Sequence, residues 1–599
     1  MNTQIPSRLS ALRAALREHD IQACLIPSAD PHLSEYLPEH WQARQWLSGF
    51  DGSAGTLIVT GDFAGLWTDS RYFEQAEQQL AGTSVELMRL RVPHTAEHVD
   101  WLLEQLGEGQ TLAVAGDSIA LSSARTLRER LRKTGARLRT DLDLPGAVWK
   151  DRPALPHAPV RAQAAAWCDG DRRERLQRVR ETMKHAQASH HLLSSLDDIA
   201  WITGLRGRDV EYNPVFLAHL LIERERCTLF VDPDKLDDTL CTALQEDGIV
   251  VRAYAETAAA MAALPNDAGV MLDPARVVVD IVNGLPERAR LIERANPSTA
   301  FKAIKSDADI AHIRTTMRED GAALVQGMRE VERRLQAGET VSELDVADIL
   351  REKRAARPAF VSESFGTIAG YMANGALPHY HATEEHHAEL RADGLLLVDS
   401  GGQYEGGTTD ITRMWAFGET SPEQRRDCSL VLKGTIALSR ARFPSGASGP
   451  QLDALARAPI WADGGDYGHG TGHGVGYFLN VHEGPHGIRP PAPGGALVPL
   501  QPGMITSIEP GLYRPGRHGV RHENLAVVRT WKDTEFGTFL EFETLTLCPI
   551  DTRALDLALL DESERAWLND YHARVAEALS PLLDDPADRA WLETRCAAV

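Results

Sequence analysis

The chain has 599 residues, which is too long for a single hydrophobic core and predicts three or four domains. Its composition, 43% hydrophobic and 25% charged, is typical of a globular protein and excludes a disordered chain. Its 63 basic and 85 acidic residues give a net charge of −22, which argues against nucleic acid or an anionic membrane as the main partner, because both bind basic surfaces.

The chain starts with the pattern of an amphipathic helix. This segment has no apolar stretch long enough for a secretory signal peptide, and no later run approaches the roughly 18 apolar residues of a membrane span. The seven cysteines are scattered and form no C-x-x-C pair, so we expect free thiols in a reducing compartment. Together, these features predict a cytoplasmic protein.

The first segment alternates short apolar runs with helical patterns. The predicted strands are residues 23–27, 55–61, 64–69 and 111–116, and a helical pattern surrounds Trp101. This alternation predicts an α/β domain over residues 1–155. The proline-rich stretch WKDRPALPHAPV (149–160) marks its end.

The second segment, residues 156–306, repeats this pattern. Its predicted strands are residues 214–223, 227–232 and 269–274. Segments 46–69 and 201–232 both open with an aromatic residue three positions before a glycine, and both continue with two β-rich runs that end in aspartate. The similarity predicts that the first two domains are a duplicated α/β unit.

The third segment, residues 307–599, contains nearly all of the candidate chemistry. It starts with the pattern of a long amphipathic helix over residues 307–336. Beyond this helix, four acids and one histidine stand at the ends of apolar runs or in a glycine-rich stretch. They are Asp399 in GLLLVD, Asp410 in GGTTD, His473 in GHGTGHGVG, Glu509 in GMITSIEPG and Glu523 in VRHENLAVV.

These five residues are consistent with a dinuclear metal site. A buried carboxylate is costly unless a positive charge offsets it, and two divalent cations would balance four carboxylates. Carboxylates also bridge paired ions about 3.5–4 Å apart. Oxygen ligands with one imidazole favour Mn²⁺, with Co²⁺ or Zn²⁺ as alternatives. From spacing alone, the other interpretation stays open: turn-forming acids, strand-end acids and a loop histidine.

Two other patterns of histidine and glutamate predict no metal site. His482–His486 matches H-E-x-x-H, but that zinc motif requires a helix, and the internal Gly-Pro pair would break one. The run Glu384–His387 predicts a solvated loop. The sequence has no G-x-S-x-G elbow, P-loop or G-x-G-x-x-G, so serine-hydrolase and nucleotide-binding functions lack support.

The motifs around the five residues together resemble the pita-bread metallopeptidases, and most closely the three-domain aminopeptidase P group of Xaa-Pro aminopeptidases. Segments 50–76, 149–156 and 196–216 are similar to the two N-terminal domains of that group, and 543–556 and 567–572 to its C-terminal extension. The resemblance implies two duplicated creatinase-N-like α/β domains, followed by an α+β pita-bread catalytic domain over 307–599. Its extension would begin near residue 555.

The resemblance also implies roles for individual residues. The ligands of two divalent metal ions would be Asp399 on one ion, Asp410 and Glu523 bridging both, and His473 and Glu509 on the other. Further active-site residues would be His379 and His482, which contact the substrate, His469, and Arg521 beside a ligand carboxylate. Arg71 in WTDSRYF (67–73) is a candidate substrate contact, and a surface or packing role is its alternative.

The implied reaction removes the N-terminal residue from peptides with proline in second position. A hydroxide shared by the two ions would attack the first carbonyl, and Glu509 would transfer a proton to the leaving nitrogen. The alternatives are an Xaa-Pro dipeptidase, a methionine aminopeptidase or creatinase-like enzyme, and an inactive binding module. The two N-terminal domains favour the aminopeptidase, and the complete set of ligands favours activity. Members of the group often form homodimers.

Overall fold

The computed structural model describes residues 2–91, 95–491 and 497–599. These residues form two compact units along the chain. The first holds the described residues of Met1–Gln163 and Gly170–Thr299, and the second holds Ala164–Asp169 and Ala300–Val599. Among the helices in the described ranges, none is long and apolar enough to cross a membrane.

The first unit contains two six-stranded sheets. The strands of the first sheet are β1 (Ala23–Pro27), β2 (Thr56–Thr60), β3 (Ala64–Thr68), β4 (Glu86–Arg89), β5 (Thr111–Ala113) and β6 (Arg137–Arg139). Between the sheets along the chain lies β7 (Arg161–Ala162), which pairs with β9 (Leu205–Arg206). The strands of the second sheet are β8 (His190–Leu193), β10 (Ala218–Glu223), β11 (Cys227–Val231), β12 (Ile249–Arg252), β13 (Gly269–Leu272) and β14 (Arg290–Glu293).

Helices connect these strands. Around the first sheet they are α1 (Ile5–Glu18), α2 (Ala43–Ser48), α3 (Phe73–Leu80), α4 (Glu97–Gln105), α5 (Leu121–Arg132) and α6 (Leu144–Val148). Around the second they are α7 (Arg172–His185), α8 (Leu196–Thr203), α9 (Asp238–Glu246), α10 (Thr257–Ala262), α11 (Val279–Val282) and α12 (Pro297–Ala303). The alternation of helices and strands is the one that the apolar runs predict.

The two sheets have the same topology. The strand orders are β4-β3-β2-β1-β5-β6 and β12-β11-β10-β8-β13-β14. In each sheet the central strand pairs antiparallel with one neighbour and parallel with the other, as β1 does with β2 and β5, and β8 with β10 and β13. The duplication predicted from the sequence is therefore confirmed.

Two predicted strands are too long: the run 111–116 is a strand only over Thr111–Ala113, and the run 214–223 differs at its start. The apolar run 214–223 forms a strand only from Ala218 onwards. The backbone before it bonds to Asp209 and not to a neighbouring strand: Leu217 N–H donates to Asp209 Oδ2 (2.7 Å), and Asp209 N–H donates to the Val215 carbonyl (3.1 Å). The first part of the run is thus buried, but its backbone bonds to the Asp209 side chain instead of to a neighbouring strand.

The second unit opens with the predicted long helix. Its helices are α13 (Asp307–Gln336), α14 (Glu343–Ala355), α15 (Pro422–Ser439), α16 (Gly449–Ala462), α17 (Glu562–Leu579) and α18 (Pro586–Arg595). The first of them begins as predicted because the Ser306 hydroxyl accepts from the Asp309 N–H, and the Asp309 carboxylate accepts from the Ser306 N–H in return.

The strands of the second unit form a larger set. They are β15 (Phe360–Glu363), β16 (Ile368–Tyr371), β17 (Leu395–Ser400), β18 (Gly402–Tyr404), β19 (Gly407–Thr408), β20 (Ile411–Ala416), β21 (Arg442–Pro444), β22 (Gly472–Gly474), β23 (Glu483–Ile488), β24 (Ile505–Ile508), β25 (Gly511–Arg514), β26 (His518–Arg521), β27 (Asn524–Thr534) and β28 (Gly537–Thr544). Two sheets position the candidate site: β16-β17-β20 and β21-β28-β27-β24-β22-β23.

Candidate metal centre

The four candidate acids lie at the ends of two antiparallel strand pairs. Asp399 is near the end of β17, and Asp410 directly precedes its neighbour β20, whose Ile411 pairs with Ser400. Glu509 follows β24, and Glu523 precedes β27, where Asn524 pairs with Ile508. Antiparallel neighbours bring the end of one strand beside the start of the other, so the two acids of each pair lie at the same end of their sheet. The Glu523 N–H donates to the Thr412 carbonyl (3.1 Å), and this bond links the two sheets at these ends.

His473 joins these acids from β22, which pairs with β24 through Gly474 and Thr506. Its Nε2 lies 3.4 Å from Asp410 Oδ2 and 3.3 Å from Glu509 Oε1. One ligand atom from each of Asp410, His473 and Glu523 lies within 4.8 Å of the other two. The structure thus places these side chains close enough to share an ion.

The histidine ring has the orientation of a metal ligand. Its Nδ1 lies 3.0 Å from the Gly474 carbonyl, which can only accept a hydrogen bond, so a neutral ring carries its hydrogen on Nδ1 and directs the Nε2 lone pair towards the acids. The Ser507 hydroxyl accepts from the His473 N–H (2.9 Å) and donates to Glu509 Oε1 (3.1 Å). One hydroxyl therefore holds two of the candidate ligands in register.

The electrostatics of the site fit bound cations. Burial raises the pKa of Asp399 to about 7, against the opposing effect of Arg521. Burial also raises the pKa of Glu509 and that of Glu523, to which the neighbouring carboxylates add. Burial lowers the pKa of His473, but the carboxylates of Asp410 and Glu509 outweigh it and bring the value to about 9. Acids packed this closely resist ionisation unless positive charge lies between them.

A buried carboxylate oxygen gives a second sign that the residues fit a metal. Asp399 Oδ1 is shielded from solvent and has no hydrogen-bond partner among the described residues. The other oxygen, Oδ2, accepts from Arg521 Nη2 (2.5 Å). Buried acceptors are satisfied in most native proteins, so an orphaned carboxylate oxygen beside three other candidate ligands is well suited to a cation.

Arg521 organises the carboxylates, and two partners that the sequence motifs leave unassigned complete its contacts. Its Nε donates to Thr412 Oγ1 (3.0 Å), and its Nη1 donates to the Tyr513 hydroxyl (2.6 Å). The Thr412 hydroxyl in turn donates to Glu523 Oε2 (2.8 Å). Thr412 is two residues after Asp410, and Tyr513 is four residues after Glu509, but nothing in those spacings alone indicates contact.

Two of the candidate histidines contact residues of this cluster. The His482 ring lies 4.4 Å from that of His473, nearly perpendicular to it at 88°. His469 Nε2 lies 2.7 Å from the Tyr513 hydroxyl, which is also bonded to Arg521. The structure therefore brings His482 beside the candidate ligand His473, and His469 against Tyr513, which bonds Arg521.

The third histidine and the arginine lie in different surroundings. His379 is half-buried and follows Pro378, whose carbonyl accepts from Arg521 Nη2 at 3.4 Å. Arg71 lies in the first unit, where its Nε and Nη2 donate to the two oxygens of Asp69, each at 2.8 Å. The contact of Arg71 with substrate stays a prediction.

The H-E-x-x-H match adopts the extended form that its Gly-Pro pair predicts. Residues 483–488 form β23, and the Glu483 carboxylate is buried between two lysines, 2.5 Å from Lys305 Nζ and 3.6 Å from Lys302 Nζ. The run 384–387 is exposed, as predicted. Neither segment adopts the geometry of a helical zinc motif.

Comparison with known proteins covers nearly the whole chain. Residues 8–150 and 151–309 each match the Creatinase/Prolidase N-terminal domain, residues 315–530 match metallopeptidase family M24, and residues 538–599 match the C-terminal region of peptidase M24. The Probable Xaa-Pro aminopeptidase P of Laccaria bicolor is 37% identical over 98% of this chain and 93% of its own length. Aminopeptidase P2 of Arabidopsis thaliana is 37% identical over 98% of this chain and 88% of its own.

A solved structure extends the likeness to the fold. The crystal structure of X-prolyl aminopeptidase from Caenorhabditis elegans, described as a cytosolic enzyme with a di-nuclear active site, has a TM-score of 0.93 and 32% identity and covers 99% of this chain and 100% of that one. The chain therefore belongs to metallopeptidase family M24, with creatinase-like N-terminal domains before a pita-bread domain. Within that family, it falls in the aminopeptidase P group, as its motifs predict.

Proposed function

We propose that this protein is an Xaa-Pro aminopeptidase, a metal-dependent hydrolase that releases the first residue of peptides with proline in second position. The main support is the meeting of four acids and His473 at two paired strand ends, in a chain that matches named Xaa-Pro aminopeptidases over nearly its full length. The N-terminal Xaa-Pro peptides are its proposed substrates.

The metal centre that we propose uses the five candidate ligands. Asp399 would hold one divalent ion, His473 and Glu509 would hold the second, and Asp410 and Glu523 would serve both. The orphaned Asp399 Oδ1, the contact of His473 Nδ1 with the Gly474 carbonyl and the raised pKa values of the acids support this assignment. A set dominated by carboxylate oxygens favours Mn²⁺ over Co²⁺ or Zn²⁺. Two such ions, when bound, polarise a carbonyl and lower the pKa of water.

The other roles belong to side chains of the chain itself. Glu509, fixed by the Ser507 hydroxyl, accepts a proton from the attacking water and passes it towards the proline nitrogen that leaves. His482 and His379 donate hydrogen bonds to the substrate or to the developing oxyanion, and His469 acts through Tyr513. Arg521 keeps Asp399 in place.

The nearest alternative is an Xaa-Pro dipeptidase. The aminopeptidase is favoured because two creatinase-like N-terminal domains precede the M24 domain and because the X-prolyl aminopeptidase of C. elegans covers 99% of this chain. With Mn²⁺, we expect release of arginine from Arg-Pro-Pro and none from Arg-Ala-Ala. Cleavage confined to Xaa-Pro dipeptides would instead support the dipeptidase.

The remaining alternative is a binding module without activity. Elemental analysis after loading with Mn²⁺ and desalting separates the two: we expect about two ions per chain from the dinuclear ligand set. Protein without bound metal would support the binding module. Full retention of activity after complete metal removal would contradict the proposed chemistry.

We also propose that the protein is a cytoplasmic homodimer. Its location is supported by the description of the C. elegans enzyme as cytosolic and by the absence of disulfide bonds among the described residues. Light scattering coupled to size exclusion measures the assembly directly. A mass of one chain, 65.8 kDa, would refute the dimer.

A further inference from the structure

Arg413 is a buried cation in β20 whose hydrogen-bond partners are all neutral. The acceptors are the Thr412 carbonyl (3.0 Å) and Glu523 carbonyl (2.6 Å) for Nη1, the Asn524 Oδ1 (2.8 Å), Cys548 carbonyl (3.0 Å) and Tyr571 hydroxyl (2.7 Å) for Nη2, and the Pro549 carbonyl (3.2 Å) for Nε. Among the described residues, none of its hydrogen-bond partners is a carboxylate. A guanidinium held only by neutral acceptors is better suited to fixing backbone than to forming an ion pair.

The backbone that Arg413 fixes is that of the candidate metal centre. Thr412 already holds Glu523 twice, since its carbonyl accepts from the Glu523 N–H (3.1 Å) and its hydroxyl donates to Glu523 Oε2 (2.8 Å). Arg413 Nη1 adds the third contact, on the Glu523 carbonyl, and bonds the Thr412 carbonyl as well. The position of this candidate bridging ligand is thus set from its amide, its carboxylate and its carbonyl.

The other side of Arg413 is held by the C-terminal region. Tyr571, in α17, is only 1% exposed, and its hydroxyl accepts from Arg413 Nη2. The same hydroxyl accepts from the Cys548 N–H (3.2 Å) and lies 2.9 Å from the Cys548 carbonyl, to which it can donate. The phenol hydroxyl thus accepts two hydrogen bonds and can donate one, which is all that it can form. These bonds link Arg413 to Cys548, in the C-terminal region. No step of the proposed reaction otherwise involves residues 538–599.

We propose that Arg413 is a positioning residue through which the C-terminal region, by way of Tyr571, holds Glu523 and sets the affinity of the metal centre. This inference rests on the metal centre of the proposed function. A ligand that is fixed before binding loses less conformational freedom when the ion arrives, and partners behind metal ligands commonly contribute about 10–100-fold to affinity. The C-terminal region therefore serves the metal centre from a distance, through one tyrosine and one arginine.

The test is Tyr571→Phe, which removes the hydroxyl but keeps the ring. The matched control is Tyr404→Phe, because Tyr404 is also 1% exposed and its hydroxyl donates to Asp320 (2.9 Å), which pairs with Arg354 and not with Arg413. The measurement is the dissociation constant of Mn²⁺. It follows from a titration in which electron paramagnetic resonance gives the concentration of unbound Mn²⁺. We expect binding about tenfold weaker or more in Tyr571→Phe, and unchanged binding in Tyr404→Phe.

Thermal unfolding of the metal-free variants separates positioning from general stability. If Tyr571→Phe lowers the melting temperature as Tyr404→Phe does but binds Mn²⁺ with wild-type affinity, the inference is wrong. Were Tyr571→Phe not to fold, hydrogen exchange of the wild-type protein still decides. Mn²⁺ should then slow exchange at the Cys548 amide, which bonds to Tyr571, and unchanged exchange there would overturn the inference. If the wild-type protein cleaves Arg-Pro-Pro, the proposed function stands whether or not this inference is correct.

Discussion

Replacing Thr412 by valine removes the hydroxyl that joins two parts of the metal centre and keeps the shape of the side chain. That hydroxyl donates to Glu523 Oε2 (2.8 Å) and accepts from Arg521 Nε (3.0 Å). Each hydrogen bond to a charged group contributes about 1.5–3 kcal/mol. Because both bonds share one oxygen and their losses are not additive, we expect the free energy of unfolding to fall by about 2–4 kcal/mol.

The effect on function should depend on the metal concentration. All five candidate ligands remain in Thr412→Val, so we expect nearly normal kcat on Arg-Pro-Pro at saturating Mn²⁺, with the midpoint of the Mn²⁺ titration raised about 10–100-fold. The control is Thr203→Val in α8, which loses a buried hydroxyl bonded to the Ile199 carbonyl. A midpoint equal to that of wild type, or a kcat that stays low at saturation, would refute the reasoning.

Three further predictions address the ligand set, its strand and its surroundings. Glu523→Ala should abolish turnover, while circular dichroism and size exclusion show a folded chain; unchanged turnover would exclude Glu523 as a ligand. Gly472→Ala should cost about 1–3 kcal/mol in denaturant unfolding, because its Cβ would lie 2.0 Å from the Ser507 carbonyl beside His473. A stability equal to wild type would show that the strands can move apart. Burial favours a raised pKa for Asp427, but hydrogen bonds from Arg514 and His518 outweigh it and lower the pKa. The Asp427 carboxylate therefore stabilises the folded state above its unfolded pKa of about 3.9, and this stabilisation is lost as the pH falls through its lower folded pKa. Asp427→Asn should flatten the pH dependence of the unfolding free energy in this acidic range. A pH profile identical to that of wild type would contradict this.

Local pattern predicted much of this fold. The strand Ala23–Pro27 and the helix Asp307–Gln336 have the bounds that their apolar patterns predict, because turn residues and a capping serine end those patterns sharply. The strand predicted over 214–223 was too long because Asp209, a residue outside the run, bonds to the backbone of its first part. Periodicity carries no information on a competing side-chain acceptor, so such errors fall where a polar side chain replaces a strand partner.

The candidate site shows the same division. The residues of the site stand out in the sequence because acids at the ends of apolar strands are costly to bury. Their partners do not stand out: Thr412 and Arg413 contact Glu523, more than a hundred positions later in the chain. Those contacts arise only when β20 meets the start of β27, and no local pattern records that meeting. The sequence can therefore nominate ligands, while only the structure supplies the residues that hold them.

The electrostatic cost of the centre leads to a last prediction. Asp399, Glu509 and Glu523 all have raised pKa values because burial and mutual repulsion oppose their ionisation, so the metal-free protein carries this cost in its folded state. Ions that bind only the folded form recover it, and Mn²⁺ at one hundred times its dissociation constant adds about 2.7 kcal/mol per site.

Calorimetry of the wild-type chain with and without Mn²⁺ measures this gain as a rise in the unfolding temperature. Glu523→Ala is the control, because removing one acid relieves part of the repulsion and also removes a proposed bridging ligand. The variant also loses the hydrogen bond from the Thr412 hydroxyl, so its own metal-free unfolding temperature is the baseline, and Mn²⁺ should raise that temperature far less than it does in the wild type. If Mn²⁺ stabilised the variant as much as the wild type, the ions would bind elsewhere, and the cluster of acids would need another explanation.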